Sequence, residues 1–205
     1  ATSLLLNGLA PAAAPDEIPS QSGNTGKFLT TNGSVASWGV SGGAWDLLGS
    51  VSANAASTVT FEDLFTSDYS VYVVSAATSI NSSPNPNLKL LFKVSSFLTS
   101  GYQYHSATPH SSSSSYIAIN NASFGSIMMA QEFNGGGFIL TIYDPLDSSH
   151  KCAVSYTGTA LRNDALIRPF TGGGSNNSTG AVTGVRIYPT AGTFSGSFQL
   201  YGLKK

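Results

Sequence analysis

From Trp45 to Leu203 the chain is cut into short β-type segments by clusters of Pro, Asn, Gly and Ser, and no segment sustains a 3.6-residue apolar stripe. The segments are Ser57–Phe61, Tyr69–Ile80, Leu88–Phe97, Gly101–Ser106, Ser115–Asn120, Phe124–Met129, Phe138–Tyr143, Ala153–Leu161, Val185–Tyr188 and Thr193–Leu203. In Leu88–Phe97, the residues Leu88, Leu90, Phe92 and Val94 face one way and Lys89, Lys93 and Ser95 the other, with only Leu91 breaking the polar face. Tyr69–Ile80 is apolar at both parities, as a strand covered on both faces would be. Strands at this spacing, with no helices between them, argue for an antiparallel sandwich or barrel, and the expected fold class is an all-β antiparallel β-sandwich, jelly-roll-like, with an extended N-terminal arm. The one helical signal is a single turn, where Thr60-Phe61-Glu62-Asp63 has capping-box spacing and Leu64-Phe65 follow.

Residues 1–44 read differently. Pro11, Pro15 and Pro19 punctuate an Ala-rich stretch, and Gly23, Gly26, Gly33, Gly39, Gly42 and Gly43 punctuate the next. Such a segment cannot close a core of its own. The expected organisation is an extended arm and oligomerisation stalk over 1–44, followed by a β-sandwich head over 45–205.

Charge narrows the function. Only 9% of the 205 residues are Asp, Glu, Lys or Arg, and the net charge is −1. The chain has 33 Ser, 18 Thr, 13 Asn and 22 Gly, so neutral polar groups must cover its surface. A weak, balanced charge cannot neutralise a row of phosphates, so no nucleic-acid partner is expected. No apolar run approaches the ~20 residues of a membrane-spanning helix, so no membrane insertion is expected. Leu4-Leu5-Leu6 is too short for the apolar core of a signal peptide.

Candidate chemistry is sparse. Gly39-Val40-Ser41-Gly42-Gly43 matches the G-x-S-x-G nucleophile elbow, but that elbow needs a strand-to-helix turn in an α/β sheet. The carboxylate pairs Asp16/Glu17, Glu62/Asp63 and Asp144/Asp147 each have a structural reading, so a glycosidase-type cleft is not indicated. His105, His110 and His150 lack a ligand spacing, and the single Cys152 reads as a small core residue. No catalytic residue, metal site or cofactor is expected. The segments Asn81–Asn87, His110–Ser115, Gly135–Gly137 and Gly172–Thr179 read as neutral loops. Possible contact residues are Tyr102, Tyr104, His105, His110 and Tyr116, because Tyr amid Ser and Gly suits an adaptable contact surface. The loop over Gly172–Thr179 is a second contact candidate. The competing reading packs the tyrosines into the sandwich.

One stretch carries a resemblance. Pro19-Ser20-Gln21-Ser22-Gly23-Asn24-Thr25-Gly26-Lys27-Phe28-Leu29-Thr30-Thr31-Asn32-Gly33-Ser34-Val35-Ala36-Ser37-Trp38 resembles the PSQ-x-G-N-x-G-K-x-L-x-T-x-G-x-x-x-x-W linker of bacteriophage tail-fibre and other virion fibre proteins. The ending Gly196-Ser197-Phe198-Gln199-Leu200-Tyr201-Gly202-Leu203-Lys204-Lys205 is similar to that of many phage virion structural proteins. The stretch from Trp45 to about Tyr72 resembles the opening of the same β-domain.

The resemblance implies a non-enzymatic phage surface fibre or spike, exposed on the virion. It implies a homotrimer, with Phe28, Leu29 and Trp38 of the stalk buried against neighbouring chains. Other virion proteins would hold the arm, and a host cell-surface glycan or protein would meet the head. The alternatives are a capsid decoration protein or head fibre bound to the capsid lattice, and a spike-borne polysaccharide depolymerase.

Overall fold

The computed structural model describes residues 18–40, 43–81, 86–110, 113–162 and 166–205. Within them the chain forms fourteen strands and divides into two compact units, 1–43 and 44–205. Leu4, Leu5, Leu6, Leu9, Asp16, Glu17 and Ser41 lie outside the described residues.

The first unit is organised around an antiparallel hairpin of β1 (Lys27–Thr31) and β2 (Ala36–Val40). The residues that define the linker resemblance make its turns. Asn24 Nδ2 donates to the Ser20 carbonyl at 2.8 Å, and Lys27 Nζ donates to Asn24 Oδ1 at 2.8 Å. The hairpin loop is closed by Asn32 Oδ1, which accepts from the amides of Ser34 and Val35 at 3.0 and 2.9 Å. Gly33 sits in that loop at φ +90°, a region open to glycine and strained for other residues.

The second unit is a two-sheet sandwich. Its strands are β3 (Trp45–Ala56), β4 (Val59–Glu62), β5 (Tyr69–Asn81), β6 (Leu88–Lys93), β7 (Tyr102–His110), β8 (Ser113–Phe124), β9 (Ile127–Ala130), β10 (Gly135–Tyr143), β11 (Ala153–Leu161), β12 (Ile167–Asn176), β13 (Gly184–Pro189) and β14 (Thr193–Lys204). The large sheet runs β3-β14-β5-β10-β11-β12-β7-β8 and the small sheet β4-β13-β6-β9. All the pairings are antiparallel. Setting aside β7-β8 and β11-β12, the eight remaining strands of this unit form two sheets of four in which the unit's first and last strands, β3 and β14, pair. That is the jelly-roll-like arrangement expected. The two extra hairpins lengthen one edge of the large sheet.

The core lies between the sheets. Leu88, Leu90 and Phe92 of β6 are buried in it, as their alternation requires, and Leu91 is buried as well. From the large sheet come Tyr72, Val74, Phe138, Leu140, Ile142, Phe198 and Leu200. Edge-on aromatic pairs link them, such as Phe194–Phe198 with centroids 5.2 Å apart.

Four sequence expectations are corrected. The helical turn at Thr60–Asp63 is absent: Val59–Glu62 is β4, with Val59 and Phe61 buried and Glu62 paired to Lys93. Gly135–Gly137 opens β10 instead of forming a loop. Gly172–Asn176 is the end of β12, an interior strand between β11 and β7. Tyr69–Ile80 is covered on one face only, since Val71 and Val73 face outward while Tyr72, Val74 and Ala76 face the core.

Candidate functional site

Tyr102 and Tyr104 belong to the core. β7 turns its even positions inward, so the two are 0% and 4% exposed and cannot form a contact surface. Their placement corrects the contact reading and has a chemical signature. The Tyr102 hydroxyl accepts from the Phe92 amide at 2.7 Å and donates to the Leu98 carbonyl at 3.2 Å. Burial pushes this phenol up to about 12. Tyr104 packs edge-on against Phe124, and burial raises it too. Tyr156 on β11 completes the set, its hydroxyl lying 3.0 Å from the His105 carbonyl and 3.1 Å from that of Met128. The Tyr102 and Tyr156 hydroxyls tie strands together inside the sandwich.

His105, at an odd position of β7, is exposed. His110 and Tyr116 fall on β7 and β8, where their side chains lie outside the described residues. In the Gly172–Thr179 contact candidate, Asn177–Thr179 is a loop, but the reading is corrected over Gly172–Asn176, which is strand. Its glycines are steric necessities: a Cβ on Gly172 would lie 2.2 Å from the His105 carbonyl oxygen and 2.5 Å from the Tyr156 hydroxyl.

In the first unit Phe28 and Leu29 are exposed, at 62% and 49%. Trp38 is half-buried within its own unit. It stands across from Leu29 in the hairpin, and its indole N–H donates to the Pro19 carbonyl at 2.9 Å. Part of its burial therefore comes from its own chain.

Three charged clusters were not apparent from the sequence. Glu132 Oε2 accepts from Arg168 Nη1 and forms an ion pair with Arg162 Nε at 3.1 Å. Lys93 pairs with Glu62. Asp46 accepts from Lys204 at 2.9 Å and from the Tyr69 hydroxyl at 2.7 Å, and these bonds lower the carboxyl and push the phenol up to about 12.

Asp147, Ser149 and His150 juxtapose carboxylate, hydroxyl and imidazole in one exposed turn. Asp147 Oδ1 accepts from the Ser149 amide at 2.7 Å and from its hydroxyl at 2.6 Å. His150 Nδ1 lies 2.7 Å from Ser149 Oγ and 3.1 Å from Asp147 Oδ2. A proton relay needs the carboxylate on one ring nitrogen and the hydroxyl on the other. Here both meet Nδ1, so the geometry is that of a side-chain-stabilised turn. Among the described residues no three His, Cys, Asp or Glu side chains cluster as metal ligands would. Cys152 is buried, and burial pushes its thiol up to about 12.

The broadest feature is the outer face of the large sheet. Cross-strand register builds it in rows. Trp45, Leu203, Val71 and Tyr143 form one row, and Leu47, Tyr201, Val73 and Thr141 the next. Ser75, Ile139, Thr157 and Thr171 stand in the row beyond. Trp45, Leu47, Ile139 and Tyr143 are all exposed. The alternation in β10 and β14 could have disclosed this face, but its small Ser and Thr positions read as ordinary surface.

No family model and no curated protein sequence matches the chain.

Proposed function

We propose that the chain is a non-enzymatic structural protein of a bacteriophage virion surface, a homotrimeric fibre or spike whose sandwich head meets the host cell. One observation carries this reading. The linker-like segment folds as a two-stranded hairpin that leaves Phe28 and Leu29 exposed among the described residues. Large apolar side chains on such a hairpin gain burial when copies assemble around it, each contributing about 1.5–3 kcal/mol. The head agrees with this role. It is a neutral antiparallel sandwich whose Tyr102, Tyr104, Tyr156 and Cys152 are buried in its core.

In this reading the arm meets other virion proteins and the trimer is built along the hairpin. Host contact falls to the head, where His105 stands exposed at the β7–β8 edge of the large sheet. The test uses the fluorescently labelled full chain against a panel of bacterial strains, with its mass read by sedimentation equilibrium. The expected result is a trimer that binds some strains saturably and others not at all. Negligible binding to every strain removes the attachment role. A monomer at micromolar concentration removes the fibre reading altogether.

A further inference from the structure

We propose that the outer face of the large sheet, over β3, β14, β5, β10, β11 and β12, is the surface through which the heads of neighbouring copies associate. The inference rests on the oligomeric reading above and adds the location of the contact. Three observations support it.

The first is charge. Strand alternation turns outward Trp45, Leu47, Ser50, Ser52 and Asn54 from β3, and Val71, Val73, Ser75, Ala77 and Ser79 from β5. The outward positions of the other four strands continue in kind. Among the described residues of these six strands, no outward position is Asp, Glu, Lys, Arg or His. Asp46, between Trp45 and Leu47, points to the opposite side and pairs with Lys204 and Tyr69. Arg168 on β12 also points inward, to Glu132. A partner of opposite charge has nothing to recognise on this face. A second copy brings the same neutral face, with no like-charge repulsion and no carboxylate or ammonium to desolvate.

The second observation is relief. Two shallow depressions open on the face and share Ser75. One is lined by Trp45, Val73, Ser75 and Tyr201. The other lies around Ile139 and Thr157, where Gly137 leaves the backbone uncovered. Exposed Trp45, Leu47, Ile139 and Tyr143 are large enough to fill such depressions on a facing copy. Aromatic anchors in shallow pockets, ringed by Ser and Thr, are how protein interfaces concentrate their affinity.

The third is size. Six strands about 4.8 Å apart, each contributing roughly eight residues at about 3.4 Å, present roughly 650 Å². A stable protein interface buries about 600–1,000 Å² on each partner, so this face has the area of one such contact. It leaves the β7–β8 edge, with His105, uncovered.

The test introduces a carboxylate that must meet its own copies. Full-length Ile139→Glu and Val73→Glu are compared with the native chain by sedimentation equilibrium, with circular dichroism confirming the fold. Association weakened at least 100-fold in a folded variant is the expected result. Because a variant can fail to fold, a mild pair is added: Ser75→Cys on this face and Lys89→Cys on the small sheet, both in the full chain. Native Cys152 is buried and stays silent. In the assembled state, maleimide should label Ser75→Cys at least ten-fold more slowly than Lys89→Cys. If the native chain is an oligomer, Ile139→Glu leaves its mass unchanged and the two thiols label alike, the face is not the contact. The oligomer then stands on the arm alone, and this face is open to another partner such as a host glycan. If the native chain is a monomer, both the contact and the oligomeric reading fall.

Discussion

The hydroxyl of Tyr102 accepts a hydrogen bond from the backbone amide of Phe92 at 2.7 Å, joining the large sheet to the small one. Phe92 needs that partner because β9 pairs with β6 only as far as Leu90, which leaves the next amides on that side without a strand. The side chain on β7 thus continues a hydrogen-bond ladder that the neighbouring strand abandons. A buried amide without an acceptor costs about 1–3 kcal/mol. Tyr102→Phe should therefore lower stability by about that amount in urea denaturation. Oligomer mass and cell binding should stay unchanged, because the residue is internal.

Gly172 answers to a different constraint. Its missing Cβ is what lets β12 lie between the His105 carbonyl and the Tyr156 ring. The ring is fixed by its own hydroxyl contacts, and the carbonyl belongs to a strand ladder, so neither yields. Overpacking in a close-packed interior costs about 1–3 kcal/mol, and more when backbone must move. Gly172→Ala should lower the urea midpoint by the equivalent of at least ~3 kcal/mol. A soluble, equally stable variant would mean that β12 does not sit where it is placed.

The contrast between these two residues shows what could be read from the sequence. Alternation of Leu88, Leu90 and Phe92 against Lys89 and Lys93 identifies both a strand and its buried face, because the two faces differ in polarity. The parity of Tyr102 and Tyr104 points inward, but Tyr suits a core as well as a surface, and the neighbouring Ser run has the composition of a contact surface. Gly172–Gly174 reads as a loop because glycine carries no polarity and commonly breaks structure. Its reason for being there is the approach of two other strands, a tertiary fact with no local trace. β3 was missed for a related cause: Trp45–Ala56 has register irregularities against β14, which break the two-residue period. The capping-box spacing at Thr60–Asp63 was outweighed by burial of Val59 and Phe61 on one strand face.

Asp147 gives a pH-dependent expectation. Bonds from the Ser149 hydroxyl and amide, then from His150, lower its carboxyl from 3.8 to about 2. A group whose folded pKa is depressed stabilises the fold above its unfolded value and loses that contribution as pH falls through the folded one. The stability difference between the native chain and Asp147→Asn should thus be constant above about pH 4.5 and should shrink between about pH 4 and pH 2. Urea midpoints of the two proteins across pH 2–7 provide the measurement. The subtraction removes the parallel acid effect of Asp46, whose carboxyl is also lowered.

Among the described residues, Glu132 holds the most buried ion pair of the head. Arg168 reaches it from the inner side of β12 with only 8% of its side chain exposed, and Arg162 joins from the end of β11. Removing one partner of a buried pair strands the other charge in a medium that solvates it poorly. Glu132→Ala should cost about 2–4 kcal/mol, somewhat below a fully buried pair because Glu132 itself is partly exposed to water. The cost is mainly that of the abandoned guanidinium, so it should depend on Arg168 being present. Adding Arg168→Met to Glu132→Ala should recover much of the loss, since an apolar side chain of similar reach needs no counter-charge there. Chemical denaturation of the two single variants and the double variant completes the cycle. A double variant that loses the sum of the two single losses would mean that the residues act independently and that the pair is incidental to the fold.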